Sequence, residues 1–531
     1  MTLRIRDFSR PASAAGEPLP EALARHLGIE PEAIQDVTIH KKSLDARKKG
    51  RPFYRYQISF TCSDEAALLR TCPELEEWTE APTGNPVENI AIDPSRLRHP
   101  PIIIGSGPSG IFTALTLAEA GIGCIVVERG EPVQARFRRM NQLRRRGTFS
   151  AESNYCFGEG GAGTFSDGKL TCGRNHPLIR FVFQQLVAYG APDSILYEAH
   201  PHIGTDYLMQ IAVRMRSKLE TQVGTKFLFE RIFQDFRSGG TQARYEVQLS
   251  DGQWIPTDHL ILAVGHSARD TYEQLLQKGL AITPKPFAMG ARFEHPQSLI
   301  NDIQYGSCDI LPAAEYKLAA HVGNRGIWTF CMCPGGYLLP TGAQEGHLAI
   351  NGMSYHNRNS GFANAAVVVN VLREDFYQGH PLDGMRFQQA IEQKAFAAGG
   401  GSYRAPAQRL TDFLKGKLSK GDMRSTYKPG IEPGRLDQIL PGFIVESLRA
   451  ALSQYNQKMR GFLTDEALVV GVETKTSAPI VMMRGGDLQS VSHPGIFPCG
   501  EGAGFAGGIV SAALDGVRVG QAVLQTLLRL S

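Results

Sequence analysis

The 531-residue chain lacks any apolar run of the roughly 20 residues that a membrane helix needs. Its first stretch, MTLRIRDFSRPASAAG, has no apolar core of a signal peptide. The net charge of +4 is small for this length, which argues against a broad surface for nucleic acid or membrane. The 9 cysteines follow no regular spacing, so we expect reduced, mostly buried thiols in a cytoplasmic protein.

The clearest motif is PIIIGSGPSGIFTALTLAEAGIGCIVVERG at residues 101–130. An apolar strand is followed by Gly105, Gly107 and Gly110 in the spacing G-x-G-x-x-G, and then by a helix. The first glycine permits a tight turn, the second lets a phosphate approach the backbone, and the third lets helix and strand pack closely. The sequence therefore predicts a dinucleotide site with the pyrophosphate at the helix N-terminus.

A second strand follows this helix and ends in Glu128, 18 positions after Gly110. A carboxylate at this place binds ribose hydroxyls and would repel a 2′-phosphate, which argues against NADP at this site. The chain contains no second strand–G-x-G-x-x-G–helix unit and no internal repeat. We therefore expect one dinucleotide-binding domain, with no separate domain for a nicotinamide cofactor.

Three further segments resemble those of the glutathione-reductase-like flavoproteins. GIFPCGEGAGFAGGIVSAALDGVRVG (495–520) resembles their second FAD-binding segment, in which an Asp holds the ribityl chain; Glu501 stands at that place here. HLILAVGHSAR (259–269) resembles the turn that returns the chain to the FAD domain. FGEGGAGTFSDGKL (157–170) resembles the glycine-rich region beside the pyrophosphate and the flavin ring. The resemblance implies FAD as the cofactor.

The resemblance also implies a set of cofactor-binding residues. In these flavoproteins a strand such as KFLFERIF (226–233) contacts the adenine through its backbone. The N-terminus of the last helix faces the flavin ring and favours a reduced, anionic flavin. The predicted cofactor-binding residues are Gly105, Gly107, Pro108, Ser109, Gly110, Glu128, Arg129, Gly160, Gly161, Gly163, Thr164, Ser166, Ile232, Gly265, Gly500, Glu501, Gly507, Gly508 and Ile509.

Longer strings resemble a bacterial family of FAD-dependent dehydrogenases, the NAD(FAD)-utilising dehydrogenases, across nearly the whole chain. These strings include KKSLDARKKG (41–50), PHIGTD (201–206), GARFEHPQ (290–297), FCMCPGG (330–336), NGMSY (351–355) and VETKTSAP (472–479). The resemblance implies a cofactor and a reaction class but no substrate.

We predict an α/β protein built around a Rossmann-like FAD-binding domain. Residues 1–95 form a small N-terminal ferredoxin-like α/β domain with a linker, and 96–282 form the first part of the FAD-binding domain. An α+β substrate or cap domain is inserted at 283–484, and 485–531 complete the FAD-binding domain.

Four residues are catalytic candidates. Cys331 and Cys333 would face the same way in a strand, as a flavin-facing redox pair or soft-metal site, or as two small core residues. His266 could act as an acid or base, or serve as a hydrogen-bonded turn residue. Lys169 could stabilise negative charge on the reduced flavin, or lie in a surface turn. No zinc-ligand spacing occurs, so no metal is predicted.

Two other groups of residues are candidates near the site. His200 and His202 are candidate substrate-pocket residues, and Asp167 is a candidate for the flavin or its phosphates. The arginine-rich stretch at 136–146 could hold phosphates, although a solvated helix face is the favoured interpretation.

We expect a soluble FAD-dependent oxidoreductase that moves hydride between an unidentified small-molecule substrate and flavin N5, with NADH or NADPH as a candidate transient donor. The alternative is an RNA-associated or RNA-modifying flavoprotein, based on HKKSLDARKKGRPFYR (40–55). Residues 1–95 carry 12 Lys and Arg against 15 Asp and Glu, which makes nucleic acid the weaker interpretation. The sequence predicts no oligomeric state.

Overall fold

The structure is a computed structural model that describes residues 2–79, 84–88, 92–94, 97–173, 175–306 and 310–530. The predicted boundary between residues 95 and 96 lies outside these ranges. None of the helices within them combines the length and the hydropathy of a membrane span.

The N-terminal part is a four-stranded antiparallel sheet with two helices. Its elements are β1 (Thr2–Pro11), α1 (Leu19–Leu27), β2 (Ile34–Asp45), β3 (Phe53–Cys62), α2 (Glu65–Thr71) and β4 (Leu75–Trp78). The strand order is β2-β3-β1-β4, which is that of a split βαβ unit. Helix α1 ends at Gly28 with φ 70°, and its Leu23 and Leu27 pack onto Ile58 and Phe60 of β3.

In the next stretch helices separate the first three strands, as parallel neighbours require, and a run of three antiparallel strands precedes the next strand of the parallel sheet. Its elements are β5 (Ile102–Ile104), α3 (Pro108–Glu119), β6 (Ile125–Glu128), α4 (Val133–Arg146), α5 (Leu178–Ala188), α6 (Thr205–Val223), β7 (Lys226–Phe229), β8 (Phe233–Ser238), β9 (Tyr245–Leu249), β10 (Trp254–Thr257), β11 (Leu260–Leu262), α7 (Arg269–Gln277) and β12 (Ile282–Pro284).

The remainder is rich in strands and closes with a long helix. Its elements are β13 (Phe287–Pro296), α8 (Gln297–Tyr305), β14 (Ala319–Val322), β15 (Arg325–Cys333), β16 (Tyr337–Pro340), β17 (Ile350–Met353), β18 (Phe362–Val371), α9 (Arg373–Phe376), α10 (Asp383–Ala398), β19 (Ala405–Arg409), α11 (Leu410–Lys415), β20 (Ile431–Pro433), α12 (Leu436–Ile439), α13 (Gly442–Lys458), β21 (Leu468–Glu473), β22 (Ile480–Met482), β23 (Ile496–Pro498) and α14 (Ile509–Leu530).

A five-stranded parallel sheet, β23-β11-β5-β6-β7, joins the two halves of the chain. Its central strands are short, fully buried isoleucine and leucine runs, as expected for a sheet covered on both faces. Helices α3 and α14 pack closely against each other, since a Cβ at Gly516 would overlap the carbonyl oxygen of Ser109. Strand β23 therefore brings the end of the chain back beside the glycine turn.

A second sheet of seven strands, β14-β15-β18-β13-β21-β19-β20, covers the carboxyl edge of the parallel sheet. The central strands β13 and β18 pair over ten residues, and most of their side chains are buried. Helix α13 packs on this sheet through Ile444, Leu448, Leu452 and Tyr455, which are fully buried at the spacing expected from the sequence.

The run KFLFERIF does not form one continuous strand. Glu230 adopts φ 54° and its N–H donates to the carbonyl oxygen of Gly130, which ends β7 at Phe229. The chain then starts β8 of a separate three-stranded sheet at Phe233. The sequence predicted a single strand over 226–233, and this was wrong because the chain turns at Glu230.

Candidate functional site

A cavity of about 1440 Å³, part of it open to solvent, lies at the carboxyl ends of β5, β6 and β11. The glycine turn before α3 and the N-terminus of α14 form one side. The other side is formed by Phe330 and Cys331 of the seven-stranded sheet, by Asn351 of the two-stranded sheet β16-β17, and by Lys475 just after β21. Ligands of open parallel sheets bind at this edge of the sheet.

The glycine turn has the shape that a pyrophosphate needs. Gly105 has φ 105°, and a Cβ there would overlap the carbonyl oxygen of Ala263, while a Cβ on Gly110 would overlap the oxygen of Gly105. Gly107 differs, because it has φ −71° and a Cβ there would lie 3.8 Å from Gly161 Cα. Its missing side chain thus leaves open space in the cavity, into which a phosphate fits.

Arg136 holds the second glycine-rich loop in place. This fully buried guanidinium donates to the carbonyl oxygens of Asn154, Gly158, Glu159 and Gly161 at 2.7–3.2 Å. Arg138, Arg139, Arg145 and Arg146 of the same basic stretch are exposed. Most of this stretch is therefore a solvated helix face, as the sequence favoured. Arg136 is the exception, because it is fully buried, bonds the backbone of the loop and does not line the cavity.

Glu128 lies in the cavity wall, but its carboxylate is already fully hydrogen-bonded. Oε2 accepts from the N–H and hydroxyl of Ser106 at 3.0 and 2.7 Å. Oε1 accepts from the N–H groups of Gly130 and Gly158 at 3.0 and 2.9 Å. A carboxylate has about four acceptor positions, so a ribose hydroxyl has to share or displace one of these partners.

Arg129 and Ile232 also line the cavity with their polar groups engaged. Arg129 donates to both oxygens of Asp270 at 2.9 Å and to Glu152 at 2.8 Å. The N–H of Ile232 donates to the hydroxyl of Ser250, and its carbonyl oxygen accepts from the same residue's N–H. The backbone contact to adenine expected of Ile232 thus competes with two internal hydrogen bonds.

The C-terminal segment reaches the same cavity through β23 and α14. Gly500 has φ 75°, a Cβ there would overlap Ser109 Oγ, and its N–H donates to Asp515 Oδ2 at 2.7 Å. No atom lies within 4 Å of an ideal Cβ on Gly507. The N-terminus of α14 at Ile509 therefore opens toward the cavity, where its free N–H groups favour negative charge.

The structure gathers most of the predicted cofactor residues around this one cavity. Lining residues are Gly105, Gly107, Pro108, Ser109, Glu128, Arg129, Gly161, Gly163, Ser166, Ile232, Gly265, Glu501, Gly507, Gly508 and Ile509. Gly110, Gly160, Thr164 and Gly500 lie behind them and do not line it. The binding roles of all these residues stay predictions.

Cys331 and Cys333 do not share a strand face as the sequence suggested. A bulge shifts the register of β15 against β18 between Phe330 and Cys333, and Cys331 has φ 47°. Cys331 lines the cavity, whereas Cys333 is fully buried and its thiol donates to the Cys331 carbonyl oxygen at 3.3 Å. Both are free thiols, and burial raises the pKa of both, that of Cys333 to about 12. Neither thiol is poised as a thiolate nucleophile.

His266 and Glu501 face each other in the cavity, with Nδ1 3.8 Å from Oε1. Burial lowers the pKa of His266 to about 3, helped by the positive charges of Lys475 and Arg269. Burial raises the pKa of Glu501 to about 7, against the opposing influence of Lys285. Of the two, Glu501 changes its charge near neutral pH, whereas the sequence offered His266 as the candidate acid or base, with a hydrogen-bonded turn residue as the alternative.

We predict that Glu501 makes the stability of the cofactor-free protein depend on pH. Its folded-state pKa lies above its ordinary value of 4.5, so the folded state binds the extra proton and stability falls as pH rises from about 4.5 to 7. Since a quarter of the side chain is exposed, we expect a loss of about 1–2 kcal/mol relative to Glu501→Gln. Thermal unfolding of both proteins between pH 4.5 and 8 measures it. A difference that does not change across this range would contradict the prediction.

Lys169 lines the cavity but is neutralised within an ion cluster. Its Nζ lies 3.0 Å from Asp167 Oδ2 and 3.3 Å from Glu315 Oε1, and Arg358 bonds the same two carboxylates at 2.8 and 2.7 Å. Burial would lower the pKa of Lys169, but the two carboxylates raise it. The cluster has two positive and two negative charges, so Lys169 brings little net charge to the cavity.

The two predicted substrate-pocket histidines do not line the cavity. His200 is largely exposed, with Nδ1 3.9 Å from a Glu315 oxygen. His202 stacks on His356, and burial lowers its pKa to about 4. In the part of the chain that the structure describes, no group of three His, Cys, Asp or Glu residues is placed to hold a metal ion.

Asn351 and Lys475 are among the cavity residues that were not predicted from the sequence as site residues. Asn351 Oδ1 accepts from Arg292 Nη2 and from the N–H of Gly352, which fixes the amide and leaves Nδ2 as a donor for a ligand. Lys475 follows the buried strand β21. A charged residue directly after a strand with no exposed position was the signal that could have identified it.

Comparisons with known proteins agree with an FAD site. The chain matches sequence profiles for a "FAD binding domain" at residues 99–144, a "FAD-dependent protein, C-terminal domain-like" at 286–476 and a domain of unknown function at 6–61. An "Uncharacterized protein" of Clostridium beijerinckii is 38% identical over 539 aligned residues, covering 99% of this chain and 99% of that protein.

Solved structures resemble the chain only distantly. Tetracycline destructase Tet(51) is 10% identical with a TM-score of 0.33, over 81% of this chain and 82% of that one. Aklavinone-11 hydroxylase with FAD and aklavinone is 12% identical with a TM-score of 0.34, over 81% of this chain and 62% of that one. TM-scores this low give no information about the substrate of this chain. The profile matches support a flavoprotein and do not favour the RNA-associated alternative.

Proposed function

This chain belongs to the same family as the Clostridium beijerinckii protein, and we propose that this FAD-dependent oxidoreductase transfers hydride between a small-molecule substrate and flavin N5. NADH or NADPH is the proposed transient donor. The finer assignment to the glutathione-reductase-like superfamily is part of the proposal, as is the division into domains at 1–95, 96–282, 283–484 and 485–531.

One observation carries the proposal: both FAD-type segments border the same cavity. The turn at 105–110 and the N-terminus of α14 enter it from distant parts of the chain. We propose that Gly107 and Gly161 receive the pyrophosphate, and that Gly507 and Gly508 face the flavin ring.

The cavity wall opposite the glycine turn, formed by the seven-stranded sheet and by β17, would bind the substrate. Phe330 supplies an apolar surface, and Asn351 supplies an N–H donor whose direction Arg292 fixes. Glu501 is the group in the cavity that can hold or release a proton near pH 7. These residues would orient a bound molecule and exclude water, which is the protein's part in flavin-dependent chemistry.

The test is the absorbance spectrum of the purified protein without oxygen, before and after addition of NADH or NADPH. A flavin spectrum that one nicotinamide bleaches would support a reductase with a transient donor site. A flavin spectrum that neither bleaches would remove the nicotinamide donor from the proposal and direct the search to reduced substrates. Absence of flavin even after reconstitution with FAD would overturn the proposed function.

A further inference from the structure

Lys475 is a buried cation in the cavity wall that no carboxylate neutralises. The residue is 6% exposed, and its ammonium donates to the Thr341 carbonyl oxygen at 2.8 Å, Ser267 Oγ at 3.3 Å and Cys156 Sγ at 3.4 Å. All three acceptors are neutral. Among the described residues, no carboxylate oxygen lies within 4.0 Å of its Nζ.

The backbone around Lys475 is held in place on both sides. Thr474 donates its hydroxyl to Glu392 and accepts from the Gln388 side chain, and Thr476 donates to the Ala288 carbonyl oxygen. The backbone that carries the Lys475 side chain is therefore held by residues of α10 and β13, while the ammonium itself is held by its three acceptors. Such support is typical of binding groups.

The charges around Lys475 do not balance. The charge of Lys475 acts on two buried carboxylates, Glu392 and Glu473, and each already has an arginine partner. Glu392 is bound at 2.7 and 2.9 Å by both terminal nitrogens of Arg269, and Glu473 is bound at 2.9 Å by Arg292. His266 is neutral, since its pKa is about 3. Three cations against these two carboxylates leave one net positive charge in this buried group, and an uncompensated buried charge is costly.

We propose that Lys475 binds an oxyanion of the substrate, so that the substrate is a small-molecule acid, most simply a carboxylate. The inference rests on the proposed function, because it assigns a substrate class to the same cavity. The bound anion would supply the missing negative charge. To contact it, the Lys475 ammonium would give up its longer hydrogen bonds to Ser267 Oγ and Cys156 Sγ.

A phosphate of the cofactor could supply the same chemistry, but the geometry favours the substrate. The pyrophosphate cradle is formed by Gly107 and Gly161; Thr341 and Ser267 lie outside that turn and that loop, whereas Cys156 lies at the start of the loop that Arg136 holds. Lys475 comes from the substrate-side wall, together with Cys331 and Asn351. It therefore contacts what binds between that wall and the cofactor.

The test uses the oxidised, FAD-loaded protein without turnover. Binding of radiolabelled formate, acetate and benzoate is measured by equilibrium dialysis, with benzamide as the neutral analogue of benzoate. We expect Lys475→Met to weaken carboxylate binding about 10-fold or more, and Lys475→Arg to retain it within about threefold. Benzamide binding should not change. Lys278→Met is the matched control, since Lys278 pairs with Asp235 on the surface outside the cavity.

A structural role for Lys475 would give different results. When Lys475 is removed, the Thr341 carbonyl oxygen still accepts from the Cys156 thiol, whereas the buried Ser267 hydroxyl loses the ammonium as a partner. Removal of the buried charge offsets that loss, so we expect the unfolding temperature of Lys475→Met without added anion to lie close to that of wild type. A lower unfolding temperature, with unchanged carboxylate binding, would make the residue structural and overturn the proposal.

Two other outcomes would also overturn it. If the wild type binds none of the three carboxylates more tightly than about 50 mM, no oxyanion site exists for substrates. If Lys475→Met loses FAD, the oxyanion is a phosphate of the cofactor. Because binding is measured without electron transfer, these failures are distinct from failure of the flavin to accept or release electrons.

Discussion

Replacing Gly107 by alanine should leave the fold intact and weaken FAD binding about 100-fold, which corresponds to about 2.7 kcal/mol. The backbone there has φ −71° and ψ −179°, which alanine adopts without strain, and the added Cβ would lie 3.8 Å from Gly161 Cα, an ordinary contact. The methyl group would instead occupy the space that the phosphate needs. Titration of the cofactor-free protein with FAD, followed by flavin fluorescence, measures the loss.

Two glycine variants serve as controls for this result. Gly442→Ala places a methyl group in open space at the start of α13 and should affect neither FAD binding nor stability by a measurable amount. Gly105→Ala should impair folding itself, since φ is 105° and the Cβ overlaps the Ala263 oxygen. Normal FAD affinity in a well-folded Gly107→Ala protein would show that this turn does not hold the cofactor.

The glycine turn could be predicted because its determinants are local. Gly105, Gly107 and Gly110 act within one strand–turn–helix unit, and the sequence spacing alone specifies what each has to do. The helix face of α13 is equally local, since residues at four-residue spacing point the same way.

Arg136 shows how a high local density of charged residues can hide a buried position. It lies three residues after Val133 and four before Met140, on the buried stripe of α4, yet the surrounding arginines made the whole stretch look solvated. The carbonyl groups that it bonds lie 18 to 25 residues further along the chain. Its position on the apolar stripe was the available signal, whereas its partners depend on tertiary structure.

The substrate-side wall could not be predicted because its contacts are distant in sequence. Lys475 meets acceptors that are 134, 208 and 319 positions away, so nothing near it in the chain identifies its environment. Cys331 and Cys333 were expected on one face because strands alternate, but a bulge adds a residue and reverses that pattern.

The second large effect should come from the buried ion pair of Arg269 and Glu392. This pair joins the start of α7 to α10, its side chains are 3% and 0% exposed, and Glu392 also accepts from Thr474 at 2.6 Å. Breaking a buried pair leaves one charge without a partner and costs about 3–5 kcal/mol. We expect Glu392→Gln to be the worse single change, because it leaves both Arg269 and Lys475 positive. Arg269→Met leaves Glu392 with the nearby charge of Lys475.

Thermal unfolding of the single variants and of the double variant Arg269→Met/Glu392→Gln tests this expectation. Each single change should lower the unfolding temperature by about 6–12 °C, and the double variant by less than the sum. Arg25→Met removes an exposed partner of Glu17 and should have a small effect on the unfolding temperature.

The contribution of the ion pair to stability should also depend on pH. Burial would raise the pKa of Glu392, but Arg269 and Lys475 lower it to about 2. The pair therefore stabilises the fold above pH 4.5 and loses its contribution as pH falls toward 2. Additive losses in the double variant would contradict a coupled pair, and a difference between wild type and Glu392→Gln that persisted below pH 2 would contradict its ionic character.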